Sequence, residues 1–406
     1  MSGRGGGSAR GEGRAGPRFS GRTPADLAPN RLTELALRLR REGRHLVDLS
    51  ASNPTAVGLE YPEVELAEAL AAGATAPYAP SPRGLLSARR AVADVLAARA
   101  GAVDPEHIFL TASTSEAYGF LFKLLCEPGD EVLVPRPSYP LFEHLARLEG
   151  VSAQSYALGP TPRFALDPDR VEVELGPRTR AVVVVSPNNP TGSVAGRETQ
   201  GELARLCGQR GVAIVSDEVF ADYPAAGGPA VPSALSAGDA LVFALGGLSK
   251  SCGLPHYKLG WIAVGGPPDA RDEAILRLEH VADAYLSASG PVMRALPRLL
   301  QLGREIRRAI ADRVDASRAA AGRALAGATS ARLLPADGGW SAVIELGRET
   351  DEEELALALA DQHDVLIQPG YFFDFDRGAH AIVSLLAAPA DVERGLAALV
   401  SLQGAR

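Results

Sequence analysis

The chain has 406 residues, 46% of them hydrophobic and 22% charged, with a net charge of -8. That is enough apolar material for two domains around a large core, and it excludes a fibre or a largely disordered chain. The acidic balance argues against a nucleic-acid partner, which would need a basic surface to displace counterions from phosphates.

The first residues, MSGRGGGSARGEGRAGPRFSGR, are rich in Gly, Ser and Arg and carry no apolar core segment. They are read as a disordered extension over residues 1–30, not as a secretory signal. No run of about 18 apolar residues follows, so no membrane span or membrane partner is expected. Cys126, Cys207 and Cys252 are odd in number and lack metal-ligand spacing. They point to a reducing, cytoplasmic setting, with neither a disulfide framework nor a metal site.

From Arg31, RLTELALRLRREGRHLVDLS places leucines at helical spacing and runs into a short strand ending at ASNPT. SARRAVADVLAARAG predicts a second amphipathic helix closed by Gly101. A series of short apolar strands comes next: HIFLTAS, DEVLVPRPSY, RAVVVVSPNNPTG, VAIVSDEVF and ALVFALGGLSK. Each is followed by turn residues and a helical stretch. Continuous apolar strands alternating with helices predict an α/β fold whose mostly parallel sheet is covered on both faces. Ligand sites in such sheets form at the carboxyl ends of strands, where every one of these polar motifs falls.

Beyond Pro267 the pattern turns helical, with IRRAIADRVDASRAAAGRALAG as a long stretch, and then gives GGWSAVIEL, a helix, VLIQPG, AIVSLL and a last helix. This predicts a small discontinuous α+β domain of residues 31–60 and 300–406 beside a large domain of residues 61–299.

LGGLSKSCGLPHYKLGW holds Lys250 and Lys258, and the only other lysine in the sequence is Lys123, although Lys and Arg together number 41. A neutral amine condenses with an aldehyde, whereas a guanidinium stays protonated. One of these two lysines is therefore expected to anchor an aldehyde cofactor, its pKa lowered by burial or by a cation such as Lys258. The remaining motifs fit pyridoxal phosphate. Asp217, at the end of VAIVSD, supplies a carboxylate for the pyridine nitrogen, and Asn189 in SPNNPTG supplies a donor to the ring oxygen. Ser113, Thr114 and Ser115 open a helix whose free amides suit a phosphate, and Tyr139 in RPSYP offers a flat ring for stacking. Taken singly, each has a plainer reading: a turn former at Asn189, a strand-end cap at Asp217, a core aromatic at Tyr139, a helix N-cap at 113–115. One cofactor accounts for all of them together.

In this order and spacing, YAPSPRG, TASTSEA, PRPSYPLF, SPNNPTG, SDEVF and LSKSCGLPHYKLGW resemble the class I/II aminotransferases of the fold type I pyridoxal-phosphate enzymes, from about Arg31 to the C-terminus. The resemblance implies that Lys250 forms the Schiff base and then acts as general acid/base, that Asp217 is the pyridinium partner, and that Thr114, Ser115, Ser249 and Lys258 hold the phosphate. It also implies that Tyr78 reaches a neighbouring subunit, so that a homodimer shares its sites. Asn53 and Arg377 are the candidate substrate-binding residues. The implied reaction moves an amino group between an amine or amino acid and a carbonyl acceptor; a lyase, cyclase or replacement reaction on the same scaffold is the alternative. Four positions depart from the family's pattern: Lys258 stands where arginine is usual, Phe220 where tyrosine is, and Gly247 where serine is. Ile382 stands in place of the arginine that grips the substrate carboxylate.

Overall fold

The computed structural model describes residues 19–404; most of the N-terminal extension read as disordered therefore lies outside the described residues. Seven strands form one sheet in the order Ile108–Thr111, Gly260–Gly265, Val242–Gly247, Ala213–Asp217, Thr179–Val185, Glu131–Arg136, Ser152–Ala157. All neighbours are parallel except Gly260–Gly265, which runs antiparallel to both strands beside it. The continuous apolar runs explain this arrangement. Residues 181–185 and 213–215 are buried on both faces, and only a sheet with helices on each side can bury both. One face rests on a cluster that includes Phe109, Tyr118, Phe122, Val183 and Val215, and the other on a cluster with Leu133, Tyr156, Val182 and Ile214.

The helix expected after Leu85 spans Leu86–Ala100 and ends at Gly101, whose φ of 81° lies in the region glycine favours. The long helical stretch forms the second half of a single helix of 35 residues, Gly290–Ala324, and its last three residues turn out of it. Near its start it packs on the helix Glu63–Ala74, where a Cβ on Gly73 would lie 3.0 Å from the Pro291 carbonyl. Towards its end Ser317 Oγ donates to the Ala387 carbonyl at 2.8 Å and Arg313 to that of Leu386 at 3.2 Å. Residue 300, the expected domain boundary, falls inside this helix.

A second sheet of four antiparallel strands follows, in the order Gln368–Pro369, Ala379–Ser384, Ser341–Leu346, Ala331–Leu333. Val47–Asp48 pairs in parallel with Val365–Leu366, tying the segment after the first helix to the C-terminal part of the chain. No helix among the described residues is long and apolar enough to cross a membrane.

The loop after Thr179–Val185 is locked against the C-terminal sheet. Gly192 has φ +71°, and a Cβ there would sit 2.4 Å from the Gly338 carbonyl oxygen. Gly192→Ala is expected to lose more than about 1 kcal/mol of stability, because strain and overlap act together. Gly238→Ala, at a position with open space around it and no positive φ, is expected to change little. Thermal unfolding of both variants checks the pair.

Candidate active site

The register of the large sheet assembles the site from distant segments. Gly247 pairs with Gly260, and Gly260 pairs with Thr111. The turn carrying Ser249 and Lys250 therefore lies beside the turn carrying Ser113, Thr114 and Ser115. Close approach demands glycine here: a Cβ on Gly260 would stand 3.1 Å from the Thr114 amide nitrogen, and one on Gly247 would stand 3.1 Å from the Leu259 carbonyl. Asp217 pairs with Leu245 on one side and Val185 on the other, so the SPNNPTG loop leaves the sheet next to it.

Lys250 lies in the short helix Leu248–Ser251, and Tyr223 donates its hydroxyl to the Lys250 carbonyl at 2.7 Å. The amine Nζ stands 5.1 Å from the centre of the Trp340 ring and 5.7 Å from that of Phe220. Burial pushes its pKa below the ordinary lysine value, opposed by the nearby Asp217 carboxylate. Of the two causes expected, burial is the one that acts; Lys258 is exposed, at φ 50°.

Asp217 is buried, and desolvation raises its pKa. Three partners oppose that rise: the Val219 amide at 3.2 Å, the Tyr118 hydroxyl at 3.0 Å and the charge of Lys250. Its neighbour Glu218 is also buried, and accepts hydrogen bonds from Ser233 Oγ and the Ala234 amide, each at 2.9 Å, with Arg99 3.3 Å away. The strand end is thus fixed on both sides.

Ser113 Oγ caps the helix Thr114–Leu125 by accepting from the Glu116 amide at 3.1 Å, so the N-cap reading of this cluster holds for Ser113. Asn189 Oδ1 accepts from Ser341 Oγ at 3.3 Å, which leaves its amide nitrogen free to donate. Asn188 Nδ2 beside it is buried without a partner.

Among the described residues no hydrogen bond or ion pair joins Tyr139, Tyr78, Asn53 or Arg377 to this group. Tyr139 is 46% exposed in a surface groove with His144 and Gln154. Tyr78 is exposed at a cavity shared with Phe120 and Met293. Asn53 spends its side-chain oxygen on the Thr55 amide and hydroxyl, capping the turn Pro54–Ala56. Arg377 is exposed. Ile382 is 1% exposed and packs in the cluster with Val343 and Phe373.

Sequence reasoning did not reach Tyr118, Tyr223 or Trp340. Tyr118 left one trace: it lies four residues after Thr114, on the same helix face, as a hydroxyl in an otherwise apolar run. Among the described residues no cluster of metal-ligating side chains occurs.

The model of the family "Aminotransferase class I and II" matches residues 44–394. The chain belongs to this family. Among its curated relatives, the glutamate-pyruvate aminotransferase of Haemophilus influenzae is 30% identical over 267 residues, 65% of this chain and 66% of the relative. The alanine aminotransferase of Mycobacterium bovis is 30% identical over 64% of this chain and 61% of its own length. The match thus spans just under two thirds of these relatives. Among solved structures, an Escherichia coli aminotransferase superposes with a TM-score of 0.85 at 25% identity, covering 96% of this chain and 99% of the other. The alanine aminotransferase of Pyrococcus furiosus, at 22% identity and a TM-score of 0.84, covers 92% of this aminotransferase-family chain and 96% of its own, and shares its fold.

Tyr118→Phe removes the hydroxyl donor from Asp217, at a cost of about 1.5–3 kcal/mol to the ionised carboxylate. The Asp217 pKa is raised by burial, so in the folded protein the carboxyl ionises only above the ordinary carboxylate range, and the hydroxyl matters most to that ionised form. The stability gap between Tyr118→Phe and the parent protein is therefore expected to be small in acid and to open as pH rises above the ordinary carboxylate range. Denaturant unfolding of the cofactor-free protein across that range checks it.

Proposed function

We propose that the chain is a pyridoxal-phosphate-dependent aminotransferase. It would transfer an amino group between an amino acid or other amine and a 2-oxo acid or carbonyl acceptor. The observation that carries this reading is a half-buried amine, Lys250, whose pKa is lowered by desolvation, coupled to a buried carboxylate, Asp217, at the carboxyl ends of parallel strands. That donor set fits the cofactor: a reactive amine, an anion for a ring nitrogen, and a helix start kept open by Gly260. Family membership supports the same conclusion.

When bound, pyridoxal phosphate supplies an aldehyde carbon for the amine and a ring that takes up the electron pair released at the substrate carbon. Lys250 Nζ, its pKa lowered by burial, would be the attachment point and would carry a proton to and from that carbon. Asp217 would keep a proton on the ring nitrogen. Asn189 would offer its amide to the ring oxygen, its own oxygen being held by Ser341. Thr114, Ser115 and Ser249 offer hydroxyls and amides to the phosphate, and Lys258 offers a charge. Tyr139, on its exposed turn, would close over the ring, and Tyr78 would serve the site of a second subunit in a homodimer. Phe220 and Trp340 set their rings against the Lys250 amine.

Residues 61–299 would act as the cofactor domain, with 31–60 and 300–406 moving as the smaller unit. A cytoplasmic location accords with three free cysteines. The named relatives point to an amino acid and a 2-oxo acid as substrates.

Incubation with pyridoxal phosphate is expected to produce a visible absorbance band, and borohydride is expected to fix the cofactor mass on the peptide carrying Lys250 alone. Lys250→Arg should abolish both. A colourless protein, or label spread over other lysines, overturns the reading. Addition of L-alanine or L-glutamate should then bleach the band, with the matching 2-oxo acid released in equal amount.

A further inference from the structure

The centre of the Trp340 ring lies 5.1 Å from the Lys250 amine nitrogen, and that of Phe220 lies 5.7 Å from the same atom. A carbon atom placed between an amine and a ring needs about 3.5 Å to each, roughly 7 Å in all. Neither gap is that wide, so nothing bound at the amine can pass between it and the rings. Lys250 is half-buried, which leaves its amine an approach from elsewhere. Whatever arrives by that approach meets the two rings as a back wall.

The wall is held on every side. Trp340 is 3% exposed, and its ring meets Phe220 edge to face at 5.4 Å and Tyr223 at 5.0 Å. Tyr223 is itself fixed, because its hydroxyl donates to the Lys250 carbonyl. The indole Nε1 is buried without an acceptor, so packing sets the place of the ring and no hydrogen bond does. The backbone is pinned as well. The Trp340 carbonyl accepts from the Leu385 amide at 2.7 Å, the Gly339 amide donates to the Tyr223 carbonyl at 2.9 Å, and Ser341 Oγ donates to Asn189 Oδ1. Just before it, a Cβ on Gly338 would stand 2.7 Å from the Tyr223 carbonyl oxygen and 2.9 Å from the Pro187 ring. A side chain packed this closely does not yield to a bulkier neighbour without strain.

We propose that Trp340 is a specificity-determining residue for the amine substrate: its indole ring, braced by Phe220 and Tyr223, admits short side chains on the reacting carbon and excludes aryl ones. This rests on the aminotransferase reading, which puts that carbon beside Lys250 Nζ. Proton transfer needs the carbon within about 3–3.5 Å of the nitrogen. At that distance a methyl group turned towards the wall still clears the indole, whereas a benzyl group needs the space the indole fills.

The test uses α-methylalanine and α-methylphenylalanine, which carry no hydrogen on the amine-bearing carbon and so bind without being turned over. Both are titrated calorimetrically into the full chain loaded with pyridoxal phosphate, with the absorbance band followed in parallel. The parent protein is expected to bind α-methylalanine at least tenfold more tightly. Trp340→Ala should cut that preference tenfold or more, through a gain for the aryl ligand. Trp340→Phe keeps an aromatic contact with Phe220 and Tyr223 and should cut it at least threefold; this variant decides the matter where the alanine variant does not fold. Equal binding of the two ligands by the parent, a preference unchanged in Trp340→Phe, or an equal loss of affinity for both ligands overturns the proposal. A band that forms beside an unchanged preference overturns the proposal alone, whereas a protein that never takes up pyridoxal phosphate overturns the functional reading and the proposal with it.

Discussion

The structure turns on the desolvation of two opposite charges, Lys250 and Asp217, at the end of one parallel sheet. Either charge alone at such depth would cost several kcal/mol, and each would respond by shedding its ionisation. Their coupling moderates that response without abolishing it: the lysine pKa stays lowered and the aspartate pKa stays raised. Such a pair is a poor device for stability, since a well-packed apolar pair would serve the fold as well or better. It is a good device for holding an amine close to neutrality. The surrounding hydrogen bonds, from Tyr118, Val219 and Tyr223, fix where these groups lie rather than how much they stabilise.

Much of this was legible from sequence because chemistry narrows the choice of residue. Only lysine supplies a nucleophilic amine, so two lysines in an arginine-rich chain stood out. The parallel sheet was legible because strands buried on both faces must be apolar throughout. Tyr118 and Trp340 were not legible, for a different reason. Their roles arise from register and from the packing of the C-terminal sheet on the SPNNPTG loop, neither of which leaves a local pattern. Of the two causes expected to lower the Lys250 pKa, burial is the one that acts, because Lys258, though near along the chain, is an exposed side chain at a left-handed turn.

Charge placement along the ligand edge of the sheet follows a consistent division. The amine of Lys250 is faced by two rings and one carboxylate, whereas Arg136, Arg170 and Arg377 line a separate cavity, and Ile382 and Phe164 share one apolar wall. A cation beside Lys250 would lower its pKa further and compete for Asp217. Burial does the same work with no rival charge. An isoleucine in that wall is therefore compatible with the electrostatics of the amine.

The helix Gly290–Ala324 touches the segment near Tyr78 at one end, where Arg294 donates to the Pro77 carbonyl, and the C-terminal sheet's exit loop at the other. Thirty-five residues make a rod about 50 Å long. Pivoting such a rod by about five degrees would sweep its far end through roughly 4 Å. A small tilt near the last strands would thus be delivered, magnified and without any intervening relay, to the opposite flank of the molecule.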